Sequence, residues 1–248
     1  MDDALRKAGR GEGVEAAIPS GEIAAGLSRY GLPVADFTAA SPLAESYRTL
    51  RTNLQRISRD KSAKSVVVAS AARGEGRTQT VANLAVVTSA VEGIKTLVID
   101  ADLRHPQLHL IFEVDQAPGL SNFLQGAATE EQIVRLTQIG NLHLVPSGDA
   151  MRNPSELFHS PLLGELMEAV KGRYDTIFFD SAPVIPYTDS VILATKVDGI
   201  LLVTRARQTR REVVRRAKDL LNKSEEKFLG VVFNRVEYVI PQPLYQKL

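Results

Sequence analysis

Apolar positions along this chain gather in short, separated runs. Val66-Val67-Val68-Ala69, Thr96-Leu97-Val98-Ile99 and Thr176-Ile177-Phe178-Phe179 are nearly continuous and rich in β-branched or aromatic residues. Runs this short, without polar alternation, are expected of parallel strands buried on both faces. Strands are predicted near 65–70, 95–100, 142–146, 175–180, 199–204 and 229–233, with helical spacing between them near 77–92, 129–138, 155–171, 187–196 and 209–223. Strand alternating with helix predicts a doubly wound, mostly parallel α/β sheet. Ahead of it, Ser41-Pro42-Leu43-Ala44-Glu45 has a cap residue, proline at the first helical position and acid in the first turn, so a helix is expected from there to about Ile57. Residues 1–40 are alanine- and glycine-rich and lack periodicity, which predicts a flexible leader; residues 41–236 form the domain, and 237–248 a short tail.

Composition narrows the classes. The 248 residues, 44% hydrophobic, suffice for one α/β core. Thirty basic against 29 acidic side chains give no overall field toward nucleic acid or lipid. Zero cysteines exclude disulfides and thiolate metal sites and fit a reducing cytoplasm. No apolar stretch approaches the roughly 20 residues that span a bilayer, so a membrane role is expected through a partner.

The chemistry concentrates where the first strand ends. Ser70-Ala71-Ala72-Arg73-Gly74-Glu75-Gly76-Arg77-Thr78-Gln79 joins a strand to a helix start through a glycine turn. Such a P-loop wraps phosphates in backbone amides, sets a lysine on the β and γ oxygens, and offers a hydroxyl to magnesium. Here the lysine position holds Arg77, and Ser70 stands at the usual first glycine; Gly74, Gly76 and Thr78 persist. Two further strands close on aspartate, at Asp100-Ala101-Asp102 and at Asp180. In open α/β sheets ligands sit beyond the carboxyl ends of the strands, so these three carboxylates are expected to face the phosphates and magnesium. Each aspartate alone would read as a turn or helix cap.

The ordered blocks together resemble one family, the bacterial P-loop tyrosine kinases of capsular and exopolysaccharide synthesis and export. They include Ser41-Pro42-x-x-Glu45-x-x-Arg48-x-x-Arg51, Asn83-Leu84-Ala85, Asp100-Ala101-Asp102-Leu103-Arg104-x-Pro106, Asn153-Pro154-x-Glu156-Leu157, Phe179-Asp180-x-x-Pro183 and Asn234-Arg235-Val236. The resemblance implies a P-loop NTPase-type fold that binds ATP and Mg2+ at Gly74, Glu75, Gly76, Arg77, Thr78, Gln79 and, near the adenine, Asn234. It implies Asp100 and Asp102 as catalytic carboxylates together with the residue at position 77, with the metal held at Thr78, Asp102 and Asp180. It implies a ring-like homo-oligomer packed through Glu45, Arg48 and Arg51. It further implies a membrane co-polymerase that recruits and activates the chain at the inner face, an opposing tyrosine phosphatase, and phosphorylation of tail tyrosines. The departures are Arg77, Arg73 at the usual proline of the turn, and a tail whose tyrosines are reduced to Tyr238 and Tyr245. Arginine keeps the charge, but its planar fork does not fit the space of a compact ammonium.

Three functions follow: a tyrosine autokinase, a catalytically weak nucleotide-binding regulator of the same system, and a ParA/MinD-type positioning ATPase. The last would want a lysine at Ala72. By spacing alone Glu45, Arg48 and Arg51 form a solvated stripe. The arginines at 205, 207, 210, 211, 215 and 216 read as a surface helix with an apolar inner face, and His105 and His109 as structural.

Overall fold

The computed structural model describes residues 42–61, 63–221 and 227–236. The leader 1–40 and the tail with Tyr238 and Tyr245 lie outside the described residues. Within them the chain forms α1 (Pro42–Lys61), β1 (Ser65–Ser70), α2 (Arg77–Ser89), β2 (Thr96–Ala101), α3 (Leu108–Ile111), α4 (Leu120–Leu124), α5 (Glu130–Ile133), β3 (Arg135–Leu136), β4 (Leu142–Val145), α6 (Pro154–Leu157), α7 (Pro161–Lys171), β5 (Thr176–Ser181), α8 (Asp189–Lys196), β6 (Gly199–Arg205), α9 (Arg211–Leu221) and β7 (Phe228–Asn234). The sheet order is β3-β4-β2-β5-β1-β6-β7, parallel except where β3 runs antiparallel to β4.

Alternate residues of the central strands supply the two layers of core. Val67, Leu97, Ile99, Ile177, Phe179 and Leu202 face a cluster with Leu163, Leu166, Leu193 and Ala217 from α7, α8 and α9. Val66, Val68, Val98, Phe178, Leu201 and Val203 face Val81, Leu84 and Val86 of α2, and Tyr47 and Leu54 of α1 join the same layer. Because α2 lies between sheet and α1, eleven of its residues, from Arg77 to Ser89, are buried. Five of the eleven are polar or charged, among them Thr88 and Ser89, whose hydroxyls return to the Leu84 and Val86 carbonyls of the helix itself. The basic helix α9 turns Ala217 and Leu221 inward, as its pattern predicts.

Two expected helices are corrected. The one near 129–138 stops at Ile133, and Arg135–Leu136 becomes β3, hydrogen-bonded across a turn to β4. Thr137 bonds the Leu142 carbonyl through both its amide and its hydroxyl. This hairpin gives the otherwise open side of β4 a backbone partner, which outweighs local helical spacing. The helix near 155–171 is two helices, because Pro161 cannot donate to the preceding turn and holds Ser160 at ψ 137.

Candidate active site

Every predicted carboxylate arrives at one end of the sheet because the strands are parallel. Asp100 of β2 stands beside Asp180 of β5 in register, and Asp180 stands beside Val68 of β1, two residues before that strand turns into the loop. In the loop Gly74 and Gly76 take φ of 81° and 89°, a left-handed conformation open to glycine and costly to other residues. Gly76 has a second reason to be glycine: a Cβ there would lie 1.8 Å from the side-chain nitrogen of Asn234. The first helical bond of α2 runs from the Thr80 amide to the Gly76 carbonyl at 2.9 Å. The amides of Arg77, Thr78 and Gln79 therefore precede the helical ladder, at the electropositive end where a helix receives an anion. A cavity of about 300 Å3 opens here, lined by residues 73–79 with Ser70, Asp102, His105, Gln107 and Arg235. A phosphate chain fits this cradle.

The loop is braced from inside. Glu75 is 4% exposed, with one carboxylate oxygen accepting from the Ala72 amide at 2.8 Å and the other from the Thr209 hydroxyl. Asn234, at the end of β7, donates to the Glu75 carbonyl at 2.9 Å. Glu75 thus serves the cradle through its backbone, its side chain being turned into the protein. Gln79 and Thr78 line the cavity.

Arg77 does not point along the loop. Its Nε donates to Asp180 Oδ1 and its Nη2 to Asp102 Oδ2, both at 2.6 Å, while Nη1 donates to the Ser70 hydroxyl at 3.3 Å. With 8% of the residue exposed, a guanidinium needs anionic partners, and the two strand-end carboxylates are within its reach. Burial opposes its charge, but Asp180 and Asp102 outweigh that and raise its pKa above the ordinary value. The nearby Thr78 hydroxyl favours the ionised form of the same Asp180 carboxylate. Burial also raises Asp180, against the pull of Arg77, and pushes Asp100 well above the carboxylate range with the help of the Asp180 charge. Asp100 Oδ2 accepts from the amides of Gln107 and Leu108 at 3.2 and 3.0 Å, shaping the turn into α3. Asp100 Oδ1 and Asp180 Oδ2 are buried without a hydrogen-bond partner among the described residues. Asp102, Asp180 and Thr78 are the hard oxygen donors magnesium prefers, a set that would fit a divalent cation once Arg77 released the two carboxylates it bridges.

Two features escaped the sequence reading. Arg104 forks onto Asp189, Nε to Oδ2 at 2.9 Å and Nη2 to Oδ1 at 3.2 Å, and also reaches Ser155 at 2.8 Å. It lies 4.1 Å over the Tyr187 ring, tying the segment after β2 to α6 and α8. Arg104 stands in one of the quoted blocks, but its partnership with Asp189 is non-local. Arg73, likewise, meets His105 Nε2 at 3.1 Å beside the cavity.

The α1 residues divide. Arg48 pairs with Glu45 at 3.1 Å on the outer side. Arg51 turns inward and donates to the Val87 carbonyl of α2 at 2.7 Å, so it does not share the exposed stripe expected from spacing.

Comparison with known proteins agrees with this fold. The model of a family described as an AAA domain matches residues 63–225. Tyrosine-protein kinase YwqD of Bacillus subtilis (strain 168) is 39% identical over 190 residues, covering 77% of this chain and 80% of that protein. The crystal structure of the chimerical protein CapA2B2 superposes with a TM-score of 0.77 at 30% identity, covering 85% of this chain and 97% of that one. The septum site-determining protein MinD of Pyrococcus horikoshii OT3, complexed with Mg-ADP, gives a TM-score of 0.59 at 26% identity over 74% of this chain and 76% of that one.

Proposed function

The chain belongs to the bacterial tyrosine-protein kinases built on an AAA-type P-loop domain, and on that premise we propose that it is an ATP-dependent protein-tyrosine autokinase that regulates capsular or exopolysaccharide synthesis and export. The observation that carries the reading is the glycine cradle at Gly74–Thr78 with Asp102, just past β2, and Asp180, on β5, beside it at one sheet end. The amides of residues 77–79 would hold phosphate, Thr78 with Asp102 and Asp180 would hold magnesium, and Asn234, which donates to the Glu75 carbonyl, would fix the loop edge near the base. When bound, ATP with magnesium supplies the transferable phosphoryl group. Phosphoryl transfer then depends on positioning and charge neutralisation by these groups. Asp100, behind them, accepts from the Gln107 and Leu108 amides and so organises the turn that follows Asp102.

Glu45 and Arg48 form the outward face through which subunits pack into a ring, each offering Tyr238 and Tyr245 to a neighbour. Among the described residues no helix is long and apolar enough to cross a membrane. In this reading a membrane co-polymerase recruits and activates the chain at the inner face, and a tyrosine phosphatase reverses the modification. The catalytically weak regulator is the second reading, favoured by one observation: Arg77 is committed to Asp102 and Asp180. The lower MinD superposition does not favour the positioning ATPase.

The deciding experiment is incubation with labelled ATP and magnesium followed by phosphotyrosine mapping. Label on Tyr238 or Tyr245, increased by Arg77→Lys, supports the kinase. No label in either protein, even with the activating membrane partner present, leaves the regulator. Light scattering of Arg48→Glu, which spares the Arg51–Val87 bond, should show smaller particles than wild type; a wild type that stays monomeric at high concentration refutes the ring.

A further inference from the structure

The guanidinium of Arg77 lies between the two carboxylates that the donor chemistry assigns to a divalent cation. Its Nε and Nη2 reach Asp180 and Asp102 at 2.6 Å each. These are short, charge-assisted bonds from one rigid fork, held where Asp102 is 4% and Asp180 1% exposed. Magnesium would require carboxylate oxygens at about 2.0–2.1 Å in near-octahedral geometry. A guanidinium bridging the same two carboxylates leaves neither the space nor the negative charge for it.

We propose that Arg77 is an internal competitor for the divalent cation, so that metal binds this chain only by displacing the Arg77 bridge from Asp102 and Asp180. The rest of the cluster fits such an exchange. Asp100 Oδ1 and Asp180 Oδ2 are buried without partners among the described residues, so the cluster holds acceptor capacity that one guanidinium does not use. The neighbouring cradle supplies what a displaced guanidinium needs. Arg77 is the first residue of α2, and Arg77, Thr78, Gly74 and Gly76 line the same cavity as Asp102. A polyphosphate seated there offers Arg77 an alternative bidentate anion, as guanidinium favours. Phosphate and cation then bind as a linked pair, each raising the affinity for the other, because both favour the arrangement in which the internal bridge is open. A compact lysine lacks the fork that holds both carboxylates, so the linkage is a property of arginine at this position.

The inference rests on the assignment of Asp102 and Asp180 to the cation. Its test omits nucleotide, so its outcome is independent of whether the chain phosphorylates anything. Mn2+ is titrated into full-length wild type, Arg77→Met and Arg77→Met/Asp102→Asn, and bound metal is read by electron paramagnetic resonance. Arg77→Met should bind Mn2+ about tenfold or more tightly than wild type, within the range of ordinary site coupling, and Asp102→Asn should abolish the gain. Equal affinity of wild type and Arg77→Met, no Mn2+ binding by either, or a gain that survives Asp102→Asn overturns the proposal. Should the unpaired carboxylates unfold Arg77→Met, Arg77→Gln takes its place, since its amide retains a donor toward one carboxylate, and the same outcomes decide.

Discussion

Replacing Gly76 by alanine isolates the two constraints that shape the phosphate loop. The backbone at Gly76 has φ 89°, and a non-glycine residue held in a left-handed conformation costs about 1–3 kcal/mol. The added Cβ would also lie 1.8 Å from Asn234 Nδ2, so the amide must leave the Glu75 carbonyl that it bonds at 2.9 Å. Losing that bond adds about 1 kcal/mol, for a total of about 2–4 kcal/mol. Gly74 is the internal control: its φ is 81°, yet a Cβ there has nothing within 4 Å. Gly74→Ala should therefore cost the conformational part alone. In urea denaturation, Gly76→Ala should shift the midpoint by roughly 1–2 M at unchanged slope, and Gly74→Ala by less. In an Asn234→Ala background the Gly76→Ala penalty should fall toward that of Gly74→Ala, giving a favourable coupling energy in the double-mutant cycle. Equal penalties at the two glycines, or additive effects of Gly76→Ala and Asn234→Ala, would refute the reasoning.

At the opposite end of the sheet, Asp198 accepts from the Ser65 amide at 2.9 Å, the Ser65 hydroxyl at 2.7 Å and Lys171 at 2.7 Å. Burial alone would raise its pKa, but Lys171 and Ser65 outweigh that and hold it below the usual carboxylate range. A depressed folded pKa stabilises above the unfolded value of about 3.9 and loses that contribution as pH falls through the folded value. Asp198→Asn should thus cost about 1–2 kcal/mol at neutral pH, discounted for partial exposure, with a gap to wild type that closes in acid; a gap constant from pH 7 to pH 3 by chemical denaturation contradicts the assignment. Arg104→Ala leaves the fully buried Asp189 carboxylate without its cation and should lower stability by about 3 kcal/mol, seen as a fall in Tm that Arg104→Lys only partly restores. A variant within experimental error of wild type would show that Asp189 is satisfied by Ser155 alone.

What the linear sequence determined was whatever depends on neighbours along the chain. Continuous apolar runs at 66–69, 97–99 and 177–179 specify doubly covered strands, because every residue must be apolar when both faces are buried. Glycines at 74 and 76 specify a left-handed loop, and aspartates closing β2 and β5 fall at one sheet end once those strands are parallel. Tertiary structure alone decided which groups meet. Helical spacing near 129–138 lost to the need of β4's otherwise open side for a backbone partner, and a stripe expected across Glu45, Arg48 and Arg51 was split when Val87's carbonyl drew Arg51 inward. Arg104 and Asp189, 85 residues apart, carry no mutual signal in sequence. Arg77 is the sharpest case. Its identity marks the loop as unusual, but the direction of its guanidinium follows from desolvation, since a buried cation must take the nearest anions, and the sheet sets Asp102 and Asp180 there.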